Sequence, residues 1–542
     1  MASSTGAVLA IDQGTGSTKA LVLDASGAVV RSSSHPVARS YPRLGWVEQA
    51  PEEIWASVQA ATEACLSGGI DASIAAVGLS TQRESLLVWE RRTGTPLSPL
   101  ISWQDQRNGP ICVELISGGH DGVFRTVTGL PLDPMFSSTR AMWLLDDVDP
   151  DRERSRRGEL CLGTVDSWLL RLLTGQDLIE VGNASRMQLL DLRTLHWSPS
   201  LLELCRIPEA ALPEVVPSVP AHLTIREGLL PNLMGDTSVG AVLGDSHAAL
   251  FAHAGWRSGV VKATYGTGSS VMAVTNLTSE HDGAICQTIA WQDDVGVAYA
   301  AEGNIRSSGA TLTWVAELLD KDATEVASMA AQASSQGLHL VPAFNGLAAP
   351  WWDAGAVGLL AGLRFETGRA QLARAALESI AFQVEDVVAS LEGSVGPVHT
   401  LLADGGASSN DVLMQLQADT SGRQVHRSRL DELSALGAGH LAGVAGGLWS
   451  RAELDTFARP STQFDPVEAS ASRRQRGAAW RTAVRRARST YHRFDEKPSD
   501  RESPDRPHSC GASVHAPEEA ADGQQRRGAA TAAPTTRGAE RC

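Results

Sequence analysis

The tetrapeptide Gly-Thr-Gly-Ser occurs twice in the chain, at residues 14–17 and 266–269. Each copy lies between two apolar runs and combines glycines with small hydroxyl side chains. Glycine lets another group approach the backbone closely, so that N–H groups and hydroxyls can donate hydrogen bonds to phosphate oxygens. Two such loops, separated by almost half of the chain, predict two related domains that bind one phosphate chain from both sides.

Charged residues lie on either side of the first loop. Asp12 precedes it, where a carboxylate can hold hydrated Mg²⁺, and Lys19 follows it, where an ammonium group can meet phosphate oxygens. The P-loop pattern GxxxxGK[ST] is absent, and a dinucleotide-binding loop would need a helix where residues 20–24 predict a strand. The sequence therefore predicts a phosphate-binding β-hairpin. A plain hairpin turn remains the alternative for either loop taken alone.

A third glycine-rich segment, residues 404–410, lies between a predicted strand and a predicted helix. Gly406 would let a flat adenine ring approach the backbone. Asn410 could also cap the helix that follows, because an asparagine side chain accepts hydrogen bonds from the first free N–H groups of a helix. The two roles are compatible.

Strands and helices alternate around these loops. Short, apolar and β-rich runs predict strands at 7–12, 74–80 and 85–90. Helical spacing begins at Trp55, and residues 369–391 predict a long helix because their apolar residues recur close to a 3.6-residue period. The alternation predicts the α/β class.

Length and composition limit the possible functions. A chain of 542 residues is too long for one compact domain. Its formal net charge of −16 disfavours non-specific binding to nucleic acid or to anionic membranes. Seven scattered cysteines without a CxxC pair predict free thiols in a reducing compartment. No signal core or membrane span is evident, so we expect a cytoplasmic protein, and the polar composition of residues 491–542 predicts a disordered tail.

Seven stretches resemble the FGGY carbohydrate kinases, most closely their glycerol kinase branch, and the similarity extends from about residue 7 to residue 488. The stretches are residues 12–20, 45–55, 80–85, 135–147, 158–175, 183–197 and 358–383. In the fourth of these, Arg140 stands where lysine is usual. The resemblance implies two ribonuclease-H-like domains of the actin and hexokinase type, at 1–250 and 251–490, with a deep cleft between them. It also implies ATP, Mg²⁺, transfer of the γ-phosphate to a polyol or sugar hydroxyl, and possible dimers or tetramers.

The resemblance also assigns residues to the nucleotide. The residues matched to the β- and γ-phosphates are Thr15, Gly16, Ser17 and Lys19 from one domain and Thr267 and Gly268 from the other. Those matched to adenosine are Gly309, Thr313, Gly406 and Asn410. Asp12 and Asp245 are matched to the metal.

Asp245 matches the aspartate that these kinases use as general base. Phosphoryl transfer depends mainly on positioning and charge stabilisation, and a carboxylate that accepts the hydroxyl proton is the one acid–base group it needs. A helix N-cap is the alternative role for Asp245. For the nearby His247 we expect a surface or packing role.

The acceptor site matches the family only in part. Arg83 and Glu84 match the pair that holds the acceptor hydroxyls, with an ordinary surface pair as the alternative, and Trp103 matches an apolar wall, with core packing as the alternative. Three positions depart from glycerol kinases: Met135 replaces a tyrosine, Ser246 a glutamine and Ser270 a phenylalanine. Aromatic side chains bury about 150–250 Å² each, so the pocket should be wider and more polar. We therefore expect a tetritol, pentitol or ketopentose as acceptor; glycerol itself, a xylulokinase-like reaction on a pentulose, and a non-catalytic binding protein remain alternatives.

Overall fold

Two large β-sheets organise the part of the chain that the computed structural model describes, residues 6–69, 73–233, 237–277 and 283–489. The predicted disordered tail at 491–542 lies outside these residues. Among the described residues, every helix is too short or too polar to span a lipid bilayer.

The first sheet and its surroundings come from the first half of the chain. The strands are β1 (Gly6–Gln13), β2 (Ser17–Leu23), β3 (Val29–Pro36), β4 (Glu48–Gln49), β5 (Ser73–Thr81), β6 (Leu86–Glu90), β7 (Leu100–Ile101), β8 (Leu160–Thr164), β9 (Leu178–Glu180), β10 (Leu190–Asp191), β11 (His196–Trp197), β12 (Glu214–Val216), β13 (Leu223–Thr224) and β14 (Ser238–Gly244). The helices are α1 (Pro51–Leu66), α2 (Gly109–Ser117), α3 (Asp121–Thr128), α4 (Ser137–Val148), α5 (Glu153–Arg156), α6 (Val165–Thr174), α7 (Val181–Ser185), α8 (Pro199–Leu204) and α9 (Asp245–Ala252).

The second sheet comes from the second half of the chain. The strands are β15 (Val260–Tyr265), β16 (Ser269–Thr275), β17 (Cys286–Asp293), β18 (Gly296–Ile305), β19 (His339–Val341), β20 (Leu359–Ala361), β21 (Thr400–Asp404), β22 (Gln424–Ser428) and β23 (Ser461–Phe464). The helices are α10 (Gly309–Leu319), α11 (Ala323–Ala331), α12 (Arg369–Val395), α13 (Asp411–Ser421), α14 (Leu433–Ala445), α15 (Arg451–Thr456) and α16 (Ser470–Ser489).

Six strands follow the same order in both sheets, and the second sheet has one further strand, β17, at its edge. The first has the order β13-β14-β5-β1-β2-β3, in which β1, β2 and β3 are antiparallel neighbours and β5 and β14 run parallel to β1. The second has the order β17-β18-β16-β15-β21-β22-β23, in which β15, β16 and β18 are antiparallel and β21 and β22 run parallel to β15. The predicted α/β class and the duplication are confirmed, whereas the division at residue 250 stays a prediction.

Both Gly-Thr-Gly-Ser loops connect antiparallel strands, as predicted. In the first hairpin Asp12 pairs with Lys19 across β1 and β2, and β2 begins at Ser17, earlier than the predicted 20–24. In the second hairpin Thr264 pairs with Ser270 across β15 and β16. The side chains that flank the loops are therefore held by the ladders of the two central strands in each sheet.

Helix α14 comes from the second half of the chain but packs against the first sheet and against α9. Glycine allows this close approach: a Cβ atom on Gly437 would lie 1.8 Å from the carbonyl oxygen of Ala248 in α9, and one on Gly78 in β5 would lie 2.4 Å from the carbonyl oxygen of Ala438. Helix α9 begins with Asp245. The contact with α14 therefore fixes the helix that carries the predicted general base.

We expect Gly437→Ala to destabilise the protein by about 1–3 kcal/mol, because the added methyl group forces the two helix backbones apart. Gly393→Ala is the matched control, since a Cβ atom on this α12 residue would meet nothing within 4 Å. The control should be more stable than the native chain by about 0.5–1 kcal/mol, because alanine favours a helix over glycine. Denaturant unfolding measures both, and equal stability of the two variants would contradict the packing argument.

Candidate active site

The turn between β5 and β6 directs two charged residues into the interior. Gln82 anchors it through a backbone hydrogen bond to the carbonyl oxygen of Gln13 at 2.8 Å. Glu84 has a φ of 61°, in the left-handed region that residues other than glycine rarely adopt. Its carbonyl oxygen accepts from Ser137 at 2.8 Å and from Arg140 at 2.7 Å, and these contacts offset the backbone strain. Arg83 and Glu84 are both buried, so the alternative of an ordinary surface pair is wrong.

Glu302, a fully buried residue of β18, lies at the centre of the charged groups. Its carboxylate accepts from Arg83 at 2.7 and 3.0 Å, and Arg186 Nη1 lies 2.8 Å from its Oε2. Ser270 and Asn304 also donate to Oε1, at 2.9 and 3.1 Å. Burial opposes ionisation, but the guanidinium groups of Arg186 and Arg83 hold the pKa of Glu302 well below its usual range.

Arg186 connects this carboxylate to the predicted acceptor site, because its Nε donates to Glu84 Oε1 at 2.6 Å. Sequence reasoning missed Arg186, Glu302 and Asn304 as site residues. A signal existed for Glu302: it is a charged residue within an otherwise apolar strand, and a buried charge requires a partner.

Asp245 is the first residue of α9, with Gly244 at the N-cap position, so the alternative role as N-cap residue is not borne out. Its side chain is 37% exposed, and its Oδ1 lies 3.3 Å from Arg83 Nε. A carboxylate that is held by a buried arginine and still reaches solvent can accept a proton from a bound molecule.

His247 is fully buried against Arg83, with its Nε2 at 3.3 Å from Arg83 Nη1. Burial and the charge of Arg83 lower its pKa far below the usual value, so the imidazole is neutral. The expected packing role is confirmed, and a surface position is excluded.

Hydrogen bonds connect the first Gly-Thr-Gly-Ser loop to Trp103, a predicted acceptor residue, and to Gln49. Trp103 Nε1 donates to Thr15 Oγ1 at 3.0 Å, and Gln49 Nε2 donates to the Thr15 carbonyl oxygen at 3.0 Å. The backbone of Gly16 is exposed at the tip of the loop. Lys19, predicted to meet phosphate oxygens, forms an ion pair with Glu432.

The second phosphate loop lines a cavity of about 500 Å³, together with the segments predicted to hold adenosine. Predicted residues in this lining are Thr267, Gly309, Thr313 and Gly406. Close backbone contacts shape it, since a Cβ atom on Gly309 would lie 2.6 Å from the carbonyl oxygen of Gly266. Asn410 is not part of the lining; its side chain caps α13 by accepting from Leu413 N at 3.1 Å. Thus the capping role, one of its two compatible roles, is confirmed.

Asp12 is buried beside the first loop, and Ser80 donates to its Oδ1 at 2.7 Å. Burial, together with the charge of Asp245 and against the effect of the Ser80 hydrogen bond, raises the pKa of Asp12 to about 7. A bound cation would stabilise the ionised form of the Asp12 carboxylate, which burial disfavours. Mg²⁺ is commonly bound by one or two carboxylates together with substrate phosphates, so the residues present fit a magnesium nucleotide. Within the described parts of the chain, no cluster of three His, Cys, Asp or Glu residues could hold a metal by itself.

The three positions that depart from glycerol kinases are Met135, Ser246 and Ser270. Met135 is half-buried and packs against a buried cluster that contains Phe136. Ser270 is buried, and its hydroxyl donates to Glu302. Ser246 follows Asp245 in α9, where its side chain is half-buried.

Two sheets that share the same order of six strands, each with a glycine hairpin, and a partly exposed carboxylate beside a buried arginine are the features expected of a two-domain α/β phosphotransferase. Family models agree: the N-terminal domain of the FGGY family of carbohydrate kinases matches residues 7–252, and the C-terminal domain matches residues 261–446. The chain belongs to the FGGY family of carbohydrate kinases.

Individual relatives are glycerol kinases. The glycerol kinase of Aromatoleum aromaticum is 44% identical over 493 residues, covering 89% of this chain and 98% of the relative. That of Burkholderia cenocepacia is 41% identical over 502 residues, with the same coverage. Among solved structures, Plasmodium falciparum glycerol kinase with ADP is 28% identical, with a TM-score of 0.82 over 89% of this chain and 98% of that one. A xylulose kinase from Lactobacillus acidophilus shares the fold, with a TM-score of 0.82 at 22% identity over 90% of this chain and all of that one. The protein is an ATP-dependent kinase that acts on a polyol or sugar.

The raised pKa of Asp12 predicts a pH-dependent stability. In the unfolded chain this carboxyl loses its proton near pH 3.8, and in the folded chain near pH 7. The unfolded state therefore binds fewer protons between these values, and native stability falls as pH rises through this window. We expect Asp12→Asn to melt at a higher temperature than the native chain at pH 8, with a gap that narrows toward pH 4.

Asp24→Asn is the control of opposite sign, because hydrogen bonds from Ser26 lower the pKa of the half-buried Asp24 carboxyl. The ionised Asp24 carboxylate stabilises the folded state above its unfolded pKa, and this stabilisation is lost as pH falls. At pH 8 the Asp24→Asn variant should therefore melt at a lower temperature than the native chain. Thermal unfolding of the three proteins from pH 4 to pH 8, without nucleotide or Mg²⁺, measures both gaps. A difference in melting temperature between Asp12→Asn and the native chain that does not change with pH would contradict the raised pKa of Asp12 in the folded state.

Proposed function

We propose that this kinase transfers the γ-phosphate of ATP to a hydroxyl group of an acceptor larger than glycerol, a tetritol, pentitol or ketopentose, and that Asp245 is the general base. The observation that carries the proposal is the carboxylate of Asp245, which is exposed to solvent on one side and lies 3.3 Å from the buried Arg83 on the other. The positive charge of Arg83 would orient this carboxylate at the point where an acceptor hydroxyl would lie.

Catalysis then consists of positioning and charge stabilisation, with one proton transfer to Asp245 Oδ2 or Oδ1. Thr15, Gly16 and Ser17 would donate to the β- and γ-phosphates from the first hairpin, and Thr267 and Gly268 from the second. Mg²⁺ bound with ATP would supply charge neutralisation, with Asp12 and Asp245 as its carboxylates. Lys19 would reach a phosphate only by exchanging its ion pair with Glu432.

The nucleotide base would occupy the cavity of about 500 Å³ beside the second hairpin. Gly309, Thr313 and Gly406 line it, and the backbone of a glycine is accessible to a flat ring. Asn410 would contribute through the cap that fixes the start of α13.

The acceptor would lie between Trp103, Glu84, Arg83 and Asp245. Met135 and Ser270, which stand where glycerol kinases carry aromatic residues, would leave space beside this position, and the Ser270 hydroxyl is already used by Glu302. Such space would favour an acceptor with a longer carbon chain than that of glycerol. Glycerol is the second candidate, because the relatives at 41–44% identity are glycerol kinases and Arg83, Glu84 and Trp103 match their acceptor residues.

An acceptor panel separates the two candidates. ADP release would be measured with ATP, Mg²⁺ and, in turn, glycerol, erythritol, ribitol, xylitol, ribulose and xylulose. We expect kcat/KM for at least one four- or five-carbon acceptor to exceed that for glycerol. A clear preference for glycerol would reject the larger acceptor, and ADP release that no acceptor stimulates would reject the proposed reaction.

Replacing the general base should abolish turnover without loss of the fold. We expect Asp245→Asn to lower kcat by about 10²- to 10⁴-fold, because the acceptor hydroxyl loses its proton acceptor. Asp147→Asn, which changes an exposed carboxylate on α4, is the matched control and should leave kcat unchanged. Retention of more than a tenth of native kcat by Asp245→Asn would contradict its role.

A further inference from the structure

Arg306 connects the end of β18 to the turn that carries Met135. Its Nη2 forms an ion pair with Asp133 Oδ2, and its Nη1 donates to the carbonyl oxygen of Asn345 at 2.5 Å. Asp133 belongs to the first half of the chain, whereas Arg306 and Asn345 belong to the second. The guanidinium group thus links the two halves beside one of the substituted acceptor positions.

The contacts of Asp133 extend toward the acceptor site. Its Oδ1 accepts from Met135 N at 3.0 Å, so this one carboxylate holds both the turn and the arginine. Arg140 donates to the carbonyl oxygens of Pro134, at 3.0 Å, and of Glu84, at 2.7 Å. Arg306 therefore stands in an unbroken series of contacts that ends at Glu84, a proposed acceptor residue.

A second line of contacts leads to the same place along β18. Side chains two residues apart lie on the same face of a strand, and Glu302 and Asn304 share the face that meets Arg83 and Arg186, with Ser270 paired to Asn304 across the sheet. Arg306 follows two residues later, just beyond the strand end. Exposure increases along this row, from a fully buried Glu302 to an Arg306 side chain that is 21% exposed. The row therefore runs from the buried charges around Glu302 toward the solvent.

The two contacts of Arg306 with described residues use two of the five N–H groups of a guanidinium. They also fix its orientation, which reduces the entropy lost when the remaining donors bind a ligand. A fixed fork of N–H groups is suited to neighbouring hydroxyl oxygens. Glycerol has no carbon atoms beyond the three that the inner residues would hold, so these donors would have no partner in it.

We propose that Arg306 determines acceptor specificity by donating hydrogen bonds to the distal hydroxyl groups of a four- or five-carbon acceptor at the outer end of the pocket. The inference rests on the proposed function and adds to it the group that recognises the longer chain. A hydrogen bond from a charged donor contributes about 10- to 100-fold in binding.

The test compares Arg306→Met, which keeps the apolar stem and removes the donors, with the native chain. For glycerol and for the best four- or five-carbon acceptor, kcat/KM would be measured on the full chain. We expect a loss of about 10- to 100-fold for the longer acceptor, mainly in KM, and a change of less than about 3-fold for glycerol. Arg364→Ala, which removes an exposed arginine, is the control and should change neither value.

An equal loss for both acceptors would overturn the inference, because it would assign Arg306 a structural role only. If Arg306→Met does not fold, Asp133→Asn takes its place: an amide still accepts from Met135 N but no longer pairs its charge with Arg306, so the ratio between the two acceptors should again fall. A native chain that no acceptor stimulates overturns the proposed function and the inference together. Turnover of the longer acceptor with an unchanged ratio in the variants overturns the inference alone.

Discussion

The buried carboxylate of Glu302 is the interaction on which the site depends. It lies on the second sheet, yet its two cationic partners, Arg83 and Arg186, come from the first half of the chain. Removal of one partner from a buried ion pair leaves an uncompensated charge, which costs several kcal/mol. The three groups therefore hold the two halves together at the point where Arg83 orients Asp245 and Arg186 orients Glu84.

The duplicated topology gives the two halves different tasks. In the first sheet, β1 and β2 place Asp12 beside the phosphate loop, and the turn after the parallel strand β5 supplies Arg83 and Glu84. In the second sheet, the equivalent hairpin lines the cavity proposed for the nucleotide base, and the third antiparallel strand, β18, supplies Glu302. One strand arrangement thus carries the proposed nucleotide site on one side and the buried charges beneath the proposed acceptor site on the other.

Much of this arrangement could be predicted from the sequence, because the hairpins and the helices α12 and α13 depend on local patterns. The cap of α13 by Asn410 and the antiparallel strands around each glycine loop are set by neighbours in the chain. Lys19 shows the limit. Its position after the first loop favours a phosphate contact, but its partner in the structure, Glu432, lies more than 400 residues away and no local pattern identifies it.

The fold class and the two hairpins follow from the amino-acid sequence alone, because strand pairing and tight turns depend on apolar runs and glycines that are visible in the chain. Most residues proposed for the nucleotide came from the resemblance to the FGGY family. Only the tertiary structure decided how the acceptor residues are held. Glu302 holds Arg83, which in turn holds Asp245, and Arg186 and Arg140 hold Glu84. These are contacts between distant segments, and their strength comes from burial, which removes water from charges that a sequence shows only as polar residues.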